Sequence, residues 1–134
     1  GQLLWEKKAY CKSDASSNVA AILLPFPSLK EFDTQNSYLK MEFISDDNYW
    51  ESNFFFEKPK DLKLSKPNIE IKTIDEVTIE ISSDVLAKDV FLYSENEVFF
   101  EDNYFDLLPN EKRIIKFSKA AKEIKVKSLF DTMK

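Results

Sequence analysis

The side chains that could do chemistry in this sequence are carboxylates, because its 134 residues include no histidine. Without histidine, the Ser-His-Asp and Cys-His nucleophile systems, histidine metal sites and the usual proton shuttle at neutral pH are excluded. The carboxylates that attract attention are Asp46 with Asp47, Glu101 with Asp102, and Asp84. Each lies in a predicted turn, where an Asp side chain commonly accepts backbone hydrogen bonds. We therefore assign no catalytic role to any residue.

The sequence also has few residues or segments suited to binding phosphate, a metal or a membrane. Gly1 is the only glycine and Cys11 the only cysteine, so the sequence has neither a glycine-rich phosphate loop nor a pair of thiols. The net charge of -5 repels phosphate backbones, and Arg113 is the only arginine. No apolar run is long enough to cross a bilayer. We expect no cofactor, no metal, no nucleic-acid partner and no membrane partner.

Aromatic side chains are the other candidate functional feature, at 14% of the sequence. Tyr49 and Trp50 fall at the tip of a predicted hairpin, where exposed rings could stack on a sugar. Trp5, Tyr104 and Phe105 could join such a platform. The alternative is that the rings fill sandwich cores, as aromatic side chains commonly do. Tyr49 and Trp50 are therefore candidate sugar-stacking residues.

The elements that must position these side chains are short strands, because apolar and polar residues alternate with a period of two. In the first half, strands are predicted over Trp5–Lys12, Val19–Leu24, Leu39–Phe43 and Ser52–Phe56, the last two joined by a turn at Asp46-Asp47-Asn48. In the second half, they are predicted over Ile69–Ile74, Val77–Ile81, Asp89–Tyr93, Val98–Phe100, Arg113–Phe117 and Ile124–Leu129. Weak helical signals are confined to Ser28–Phe32 and Ser118–Lys122.

The lysine-rich stretch Glu57–Pro67 predicts a connection between two sandwich halves, with a boundary near Lys66. The strand spacing in residues 67–134 is typical of an immunoglobulin-like β-sandwich. Residues 1–66 carry about four predicted strands, fewer than the roughly seven of a complete sandwich, so they are interpreted as the later part of a preceding one. Because an incomplete sheet exposes an unpaired edge, we expect the isolated chain to self-associate through this half.

Three segments of the second half carry a family resemblance. They read KPKDLKL at 58–64, SDVLAKDVFL at 83–92 and DNYFDLLPNE at 102–111. In order and spacing they resemble the C-terminal region of β-mannosidases of glycoside hydrolase family 2, from about Phe54 to Lys134. The DNYFDLLP segment is the specific element. Asn110 stands where that family usually has glycine, and Asn is the next-best residue for a left-handed turn.

The DNYFDLLP residues are expected to have structural roles. They are Asp102, Asn103, Tyr104, Phe105, Asp106, Leu107, Leu108 and Pro109. Asp102 and Asn103 are expected to turn the chain, and Pro109 with Asn110 to start the next hairpin. The aromatic and leucine side chains are expected to plug the sandwich: Tyr104, Phe105, Leu107 and Leu108.

The resemblance implies a parent enzyme that hydrolyses terminal β-mannosyl residues by the retaining route, using two glutamates. In that family the glutamates belong to a barrel domain, which would lie upstream of this sequence. The implied role here is a non-catalytic scaffold that packs against the barrel and the companion sandwiches of its own parent chain. A carbohydrate-binding module, with an oligosaccharide as partner, and an immunoglobulin-like partner-binding domain stay open as alternatives.

The start of the sequence, Gly1-Gln2-Leu3, lacks an initiator methionine and a signal-peptide pattern, so we expect a piece of a longer protein. The compartment is left open among bacterial cytoplasm, bacterial periplasm and lysosome, depending on the upstream sequence.

Overall fold

The computed structural model describes residues 1–12, 32–46 and 48–133. Within these ranges it contains eight strands, all paired antiparallel. The strands are β1 (Tyr38–Ser45), β2 (Asn48–Phe55), β3 (Ile69–Asp75), β4 (Thr78–Ser83), β5 (Ala87–Ser94), β6 (Phe105–Leu107), β7 (Lys112–Lys116) and β8 (Ile124–Lys127). Two short 3-10 helices accompany them, at Pro59–Asp61 and Leu129–Thr132. The predicted all-β class is confirmed.

The chain divides into two compact units, Gln2–Lys63 and Leu64–Lys134, with Gly1 grouped with the second. The boundary predicted near Lys66 falls a few residues after this division, in the same lysine-rich segment. The identity of each half as a particular domain stays a prediction.

The Leu64–Lys134 unit is a sandwich of two three-stranded sheets, ordered β3-β4-β7 and β6-β5-β8. Alternate residues of both sheets point inward and share one core. Its buried side chains are Ile79, Ile81, Ala87, Val90, Leu92, Phe105, Leu107, Ile115 and Phe117. Full burial of each large apolar side chain contributes about 1.5–3 kcal/mol relative to exposure. The predicted immunoglobulin-like β-sandwich is confirmed for this unit.

Strand prediction in this unit is correct wherever alternation runs over several residues. The strand predicted over Val98–Phe100 is wrong, because only one bridge forms there, between Phe100 and Phe117. At Phe99 the backbone N–H donates to the Ser118 hydroxyl (3.0 Å) instead of to a neighbouring strand. The helical turn predicted over Ser118–Lys122 is also wrong, since these residues form only bends. Strand β6 was not predicted.

The Gln2–Lys63 unit contains the predicted hairpin. Strands β1 and β2 pair in continuous register from Tyr38 opposite Phe55 to Ser45 opposite Asn48. The strand predicted over Trp5–Lys12 is wrong: these residues are exposed and carry no strand. Alternation alone does not form a strand, because the backbone groups also need a ladder partner. The predictions over Val19–Leu24 and Ser28–Phe32 lie outside the described residues.

The first part of the predicted connection is an ordered part of this unit. The Thr34 hydroxyl donates to the Glu57 carboxylate at 2.7 Å. After the 3-10 helix at Pro59–Asp61, the Lys63 N–H donates to the Gln35 carbonyl at 2.9 Å, and the Lys63 ammonium lies 3.1 Å from Asp33. The chain therefore folds back onto residues 33–35 before it leaves the unit.

Turns in this almost glycine-free chain place other residue types in the left-handed region. Asn110 has φ 63, and its N–H donates to the Ser83 carbonyl at 2.8 Å. Asp46 and Asp89 also have positive φ, at 46 and 50. Asn and Asp are the non-glycine residues that tolerate this region best. The left-handed turn expected at Asn110 is thus present in the structure.

Replacement of Asn110 tests this backbone constraint. Asn110 is exposed, so a substitution changes little packing. We expect Asn110→Val to lower the free energy of unfolding by about 1–2 kcal/mol, because a β-branched side chain clashes in the left-handed region. Asn110→Gly serves as the control, and its free energy of unfolding should stay within about 0.5 kcal/mol of that of the unsubstituted chain. Urea unfolding measures both, and equal stability of the two variants would contradict the expectation.

Candidate functional site

The Asn103 side chain takes the place of a strand beside β5. The Leu92 N–H donates to Asn103 Oδ1 at 2.7 Å, and Asn103 Nδ2 donates to the Leu92 carbonyl at 2.9 Å. A side-chain amide presents the same donor and acceptor as a backbone peptide, so it can satisfy one residue of a strand edge. The next residue continues the pairing, since the Tyr104 N–H donates to the Val90 carbonyl at 2.8 Å. Asn103 therefore pairs with a part of the β5 edge that β6 does not reach, since β6 begins only at Phe105.

Asp102 fixes the turn that delivers Asn103. Its carboxylate accepts the Asn103 N–H at 2.9 Å and lies 3.0 Å from an Arg113 guanidinium nitrogen. Arg113 belongs to β7, in the opposite sheet, and its guanidinium carbon lies 4.7 Å from the centroid of the Phe105 ring. This ion pair links the two sheets at the point where the chain enters β6.

Tyr104 does not plug the sandwich, so that expectation is wrong. Its side chain is 68% exposed and stacks on Phe91 with ring centroids 5.0 Å apart. The Phe91 ring in turn stacks on Tyr93 at 5.7 Å. The physical reason is the backbone of Tyr104, which precedes β6 and has φ 60° in the left-handed region, so that its side chain does not follow Phe105, the first residue of β6, into the core. Phe105, Leu107 and Leu108 are buried.

Asp106 holds an irregularity in β5. Its carboxylate accepts the Asp89 N–H at 3.1 Å and lies 3.2 Å from the Lys88 ammonium, which also contacts the Asp89 carboxylate at 3.1 Å. The register of β5 against β6 shifts between Ala87 and Val90 at this point. An extra residue in one strand needs outside partners for its backbone, and Asp106 supplies one. The contacts among Asp106, Lys88 and Asp89 therefore serve the fold, because they stabilise the irregularity in β5.

Tyr49 and Trp50 do not form one stacking surface. As neighbours in β2 they point to opposite faces of the hairpin. The Tyr49 hydroxyl lies 2.8 Å from Glu42 and 2.9 Å from Glu51. Trp50 packs instead against Phe43 on the other face, with ring centroids 5.6 Å apart. Sugar stacking on either ring alone stays a prediction.

The other members of the expected platform are separated from this pair. Trp5 is partly exposed and lies in the same unit, outside any strand. Tyr104 and Phe105 belong to the Leu64–Lys134 unit, and Phe105 is buried in its core. A single platform built from all five rings is therefore wrong, because buried Phe105 cannot present a ring face.

A small polar network covers the Tyr49 face of the hairpin. A hydroxyl has one proton, so Tyr49 donates to one of the two glutamates at a time. The Lys40 ammonium lies 3.4 Å from Glu42 and 3.2 Å from Glu51 and offsets the repulsion between them. Hydrogen bonds from Tyr49 and then Lys40 lower the pKa of Glu42, while the hydrogen bonds to Glu42 and Glu51 raise the pKa of Tyr49 to about 12.

The apolar face of the same hairpin is half exposed. Cross-strand partners share a face, which groups Leu39 with Phe54 and Phe43 with Trp50, and Met41 lies between them. The Phe54 ring also contacts Phe56 edge-on at 5.5 Å. We call this set the apolar hairpin face: Leu39, Met41, Phe43, Trp50, Phe54 and Phe56.

Two of the carboxylates named at the outset, Asp84 and Asp102, have structural partners. Asp84 accepts the Asn68 N–H at 2.9 Å, as Asp102 accepts the N–H of Asn103. Asp46 occupies the hairpin turn, and Asp47 lies outside the described residues. In the part of the chain that the structure describes, no group of three or more metal-ligating side chains comes together. Nor does a helix in those residues have the length and apolarity to cross a membrane.

Sequence reasoning assigned Asn103 to a turn but missed its pairing with Leu92. The pairing joins residues eleven positions apart and leaves no local pattern. The stacking of Tyr104 on Phe91 was missed for a similar reason. It depends on which face of β5 the segment before β6 contacts, and no local pattern gives that face. The only sequence signal was the position of Asn103 immediately before an alternating aromatic and leucine run.

Removal of the Asn103 amide tests its role as a strand substitute. We expect Asn103→Ala to lower the free energy of unfolding by about 2–3 kcal/mol, because two hydrogen bonds are lost and the Leu92 peptide is left unpaired. Asn68→Ala, at an exposed Asn, is the control and should change stability by less than about 0.5 kcal/mol. Equilibrium urea unfolding compares them. Equal stability of the two variants would show that the pairing contributes nothing.

The raised pKa of Tyr49 gives a second test. Neutral Tyr49 is favoured in the folded state, so its contribution to stability is present below its ordinary pKa of 10.0 and is lost as the pH rises through about 12. Absorbance titration should show that Tyr49→Phe lacks the tyrosine ionisation that occurs at the highest pH. Circular dichroism along the same titration identifies the range in which the protein stays folded. Loss of an ionisation near the ordinary value would contradict the hydrogen-bonded arrangement.

Comparison with protein families identifies the sandwich. The family model for the Ig-fold domain of mannosidases matches residues 64–132, slightly more than half of the 134 residues. The matched range contains all six strands of the sandwich, β3 to β8, and the DNYFDLLP segment. No curated protein matches the chain.

Proposed function

The chain belongs to the family of mannosidase Ig-fold domains, and on that basis we propose that it is the non-catalytic accessory region of a β-mannosidase of glycoside hydrolase family 2. The observation that carries the proposal is the match over the whole sandwich, together with the DNYFDLLP segment inside it. Its polar residues are engaged in holding β5, β6 and β7 together, as the contacts of Asp102, Asn103 and Asp106 illustrate. Such residues support a scaffold.

The parent enzyme would supply the chemistry from another domain. A retaining glycosidase needs two carboxyl groups about 5–5.5 Å apart and facing a sugar site. Here the carboxylates of the DNYFDLLP segment face an arginine and a lysine, not each other. We therefore assign the two catalytic glutamates to an upstream barrel and give this region the task of packing against that barrel and its companion sandwiches.

The apolar hairpin face supports this packing role. A two-stranded hairpin is at best marginally stable in water and needs a further surface to cover one face. Met41, Phe43, Trp50 and Phe54 are each about half exposed. Upstream domains of the parent chain would cover these side chains. In the isolated chain a second copy would take their place, which is the basis for self-association.

Hydrolysis assays test the proposal directly. We expect the isolated chain to show no turnover of an aryl β-mannoside, because the proposal assigns both catalytic glutamates to the upstream barrel. In the intact parent protein, Asn103→Ala should lower the melting temperature and leave kcat of the folded enzyme unchanged. Turnover that co-purifies with the 134-residue chain would overturn the non-catalytic assignment.

The upstream reading frame separates this proposal from its alternatives. A barrel with two suitably placed glutamates would support the β-mannosidase accessory region. An unrelated catalytic domain would favour a carbohydrate-binding module, and a surface anchor would favour an immunoglobulin-like partner-binding domain.

A further inference from the structure

A groove of about 420 Å³ lies beside β5 in the Leu64–Lys134 unit. The rings of Phe91, Tyr93 and Phe99 are among its lining, and Ser94 and Glu97 contribute polar groups. Its volume falls within the roughly 300–1,000 Å³ typical of small-molecule sites. We propose that this groove binds a neutral oligosaccharide. The inference is independent of the proposed function, because a scaffold need not bind a sugar.

The groove exists because β5 loses its neighbour. Strand β6 pairs with β5 only at Ala87 and Val90, and Asn103 covers the edge at Leu92. Leu92 turns its backbone groups toward Asn103, and by alternation Ser94 turns its own toward the same side. Beyond Ser94, where β5 ends, residues 96–100 supply the rest of the lining together with Asn103. The groove thus lies at the end of the β5 edge that no strand covers.

Hydrogen bonds hold the loop residues of the lining in place. Asn96 Oδ1 accepts the Lys122 N–H at 2.7 Å, and Asn96 Nδ2 donates to the Ala120 carbonyl at 3.1 Å. The Phe99 N–H donates to the Ser118 hydroxyl, and the Ser118 N–H donates to the Phe99 carbonyl at 2.9 Å. A lining fixed before binding loses little conformational entropy when a ligand arrives. The rings are therefore presented in a set position.

The lining suits the two kinds of surface on a sugar. A pyranose ring has an apolar C–H face that stacks on an aromatic ring and a rim of hydroxyl groups that hydrogen-bond to polar atoms. Phe99 is 82% exposed, so its ring face is available at the mouth of the groove. The Glu97 side chain is an exposed carboxylate that can accept hydroxyl hydrogen bonds. Acidic Glu97 and the net charge of -5 disfavour an anionic glycan.

A peptide strand is a poorer occupant than a sugar. Strand addition uses a run of backbone donors and acceptors along an exposed sheet edge. Here the Leu92 N–H and carbonyl are already bonded to Asn103. Only the Ser94 end of the edge remains to offer backbone groups, which is too short for a ladder. A ligand held by ring faces and side-chain polar groups fits the groove better.

Binding to the 134-residue chain tests the inference. Chemical-shift perturbation with mannotriose and cellotriose as neutral probes should affect amides of residues 91–103, and trigalacturonic acid should bind more weakly. Phe99→Ala should weaken neutral-sugar binding roughly three- to tenfold. The melting temperature of Phe99→Ala should equal that of the unsubstituted chain, since Phe99 is mostly exposed. Tyr10→Ala, at another exposed ring outside the groove, is the matched control and should leave affinity unchanged.

Three results would overturn the inference. One is the absence of shifts at residues 91–103 at millimolar neutral sugar, and another is an equal loss of affinity in the Tyr10 and Phe99 variants. The third is protection of the groove amides from hydrogen exchange by upstream domains in the intact parent, which would identify the groove as a protein interface. None of these results depends on hydrolytic activity, so they are distinguishable from failure of the proposed function.

Discussion

The pairing between the Asn103 amide and the Leu92 peptide is the constraint on which the second unit depends. It completes the edge of β5 where no strand does so, at 2.7 and 2.9 Å. An unpaired peptide at this position would sit beside the core residue Leu92, where desolvation without a partner is costly. The same pairing fixes the direction in which the chain enters β6. The burial of Phe105 and the exposure of Tyr104 both follow from that direction.

The two units illustrate different ways to stabilise a small β structure. The Leu64–Lys134 unit closes an apolar core between two sheets and supplements it with the Asp102–Arg113 ion pair. In the hairpin of the Gln2–Lys63 unit, one face instead carries the charged network around Tyr49, and the other carries exposed aromatic side chains. Exposed ion pairs contribute little to stability, roughly 0–1 kcal/mol each. The hairpin therefore depends on further surface in a way that the sandwich does not.

The fold was predictable where local alternation carries the information. Ile79 and Ile81 alternate with polar neighbours, and in the hairpin Met41 alternates with Lys40 and Glu42, so these strands were found. Three-residue β6 is too short to display a period, and it was missed. The run around Trp5 has the pattern but no ladder partner among the described residues. The groove beside β5 arises from the absence of a neighbouring strand, which no sequence period encodes.

The use of one side-chain amide as a strand partner has an evolutionary consequence. The amide must present one donor and one acceptor at the reach of a single methylene, to match both the Leu92 N–H and its carbonyl. Glutamine has the same groups but a longer reach, and the genetic code separates its codons from those of asparagine by more than one base change. A single base change that alters the residue at this codon therefore always replaces the amide. We expect almost no substitution to be tolerated at position 103, while the surrounding apolar positions exchange among residues of similar volume.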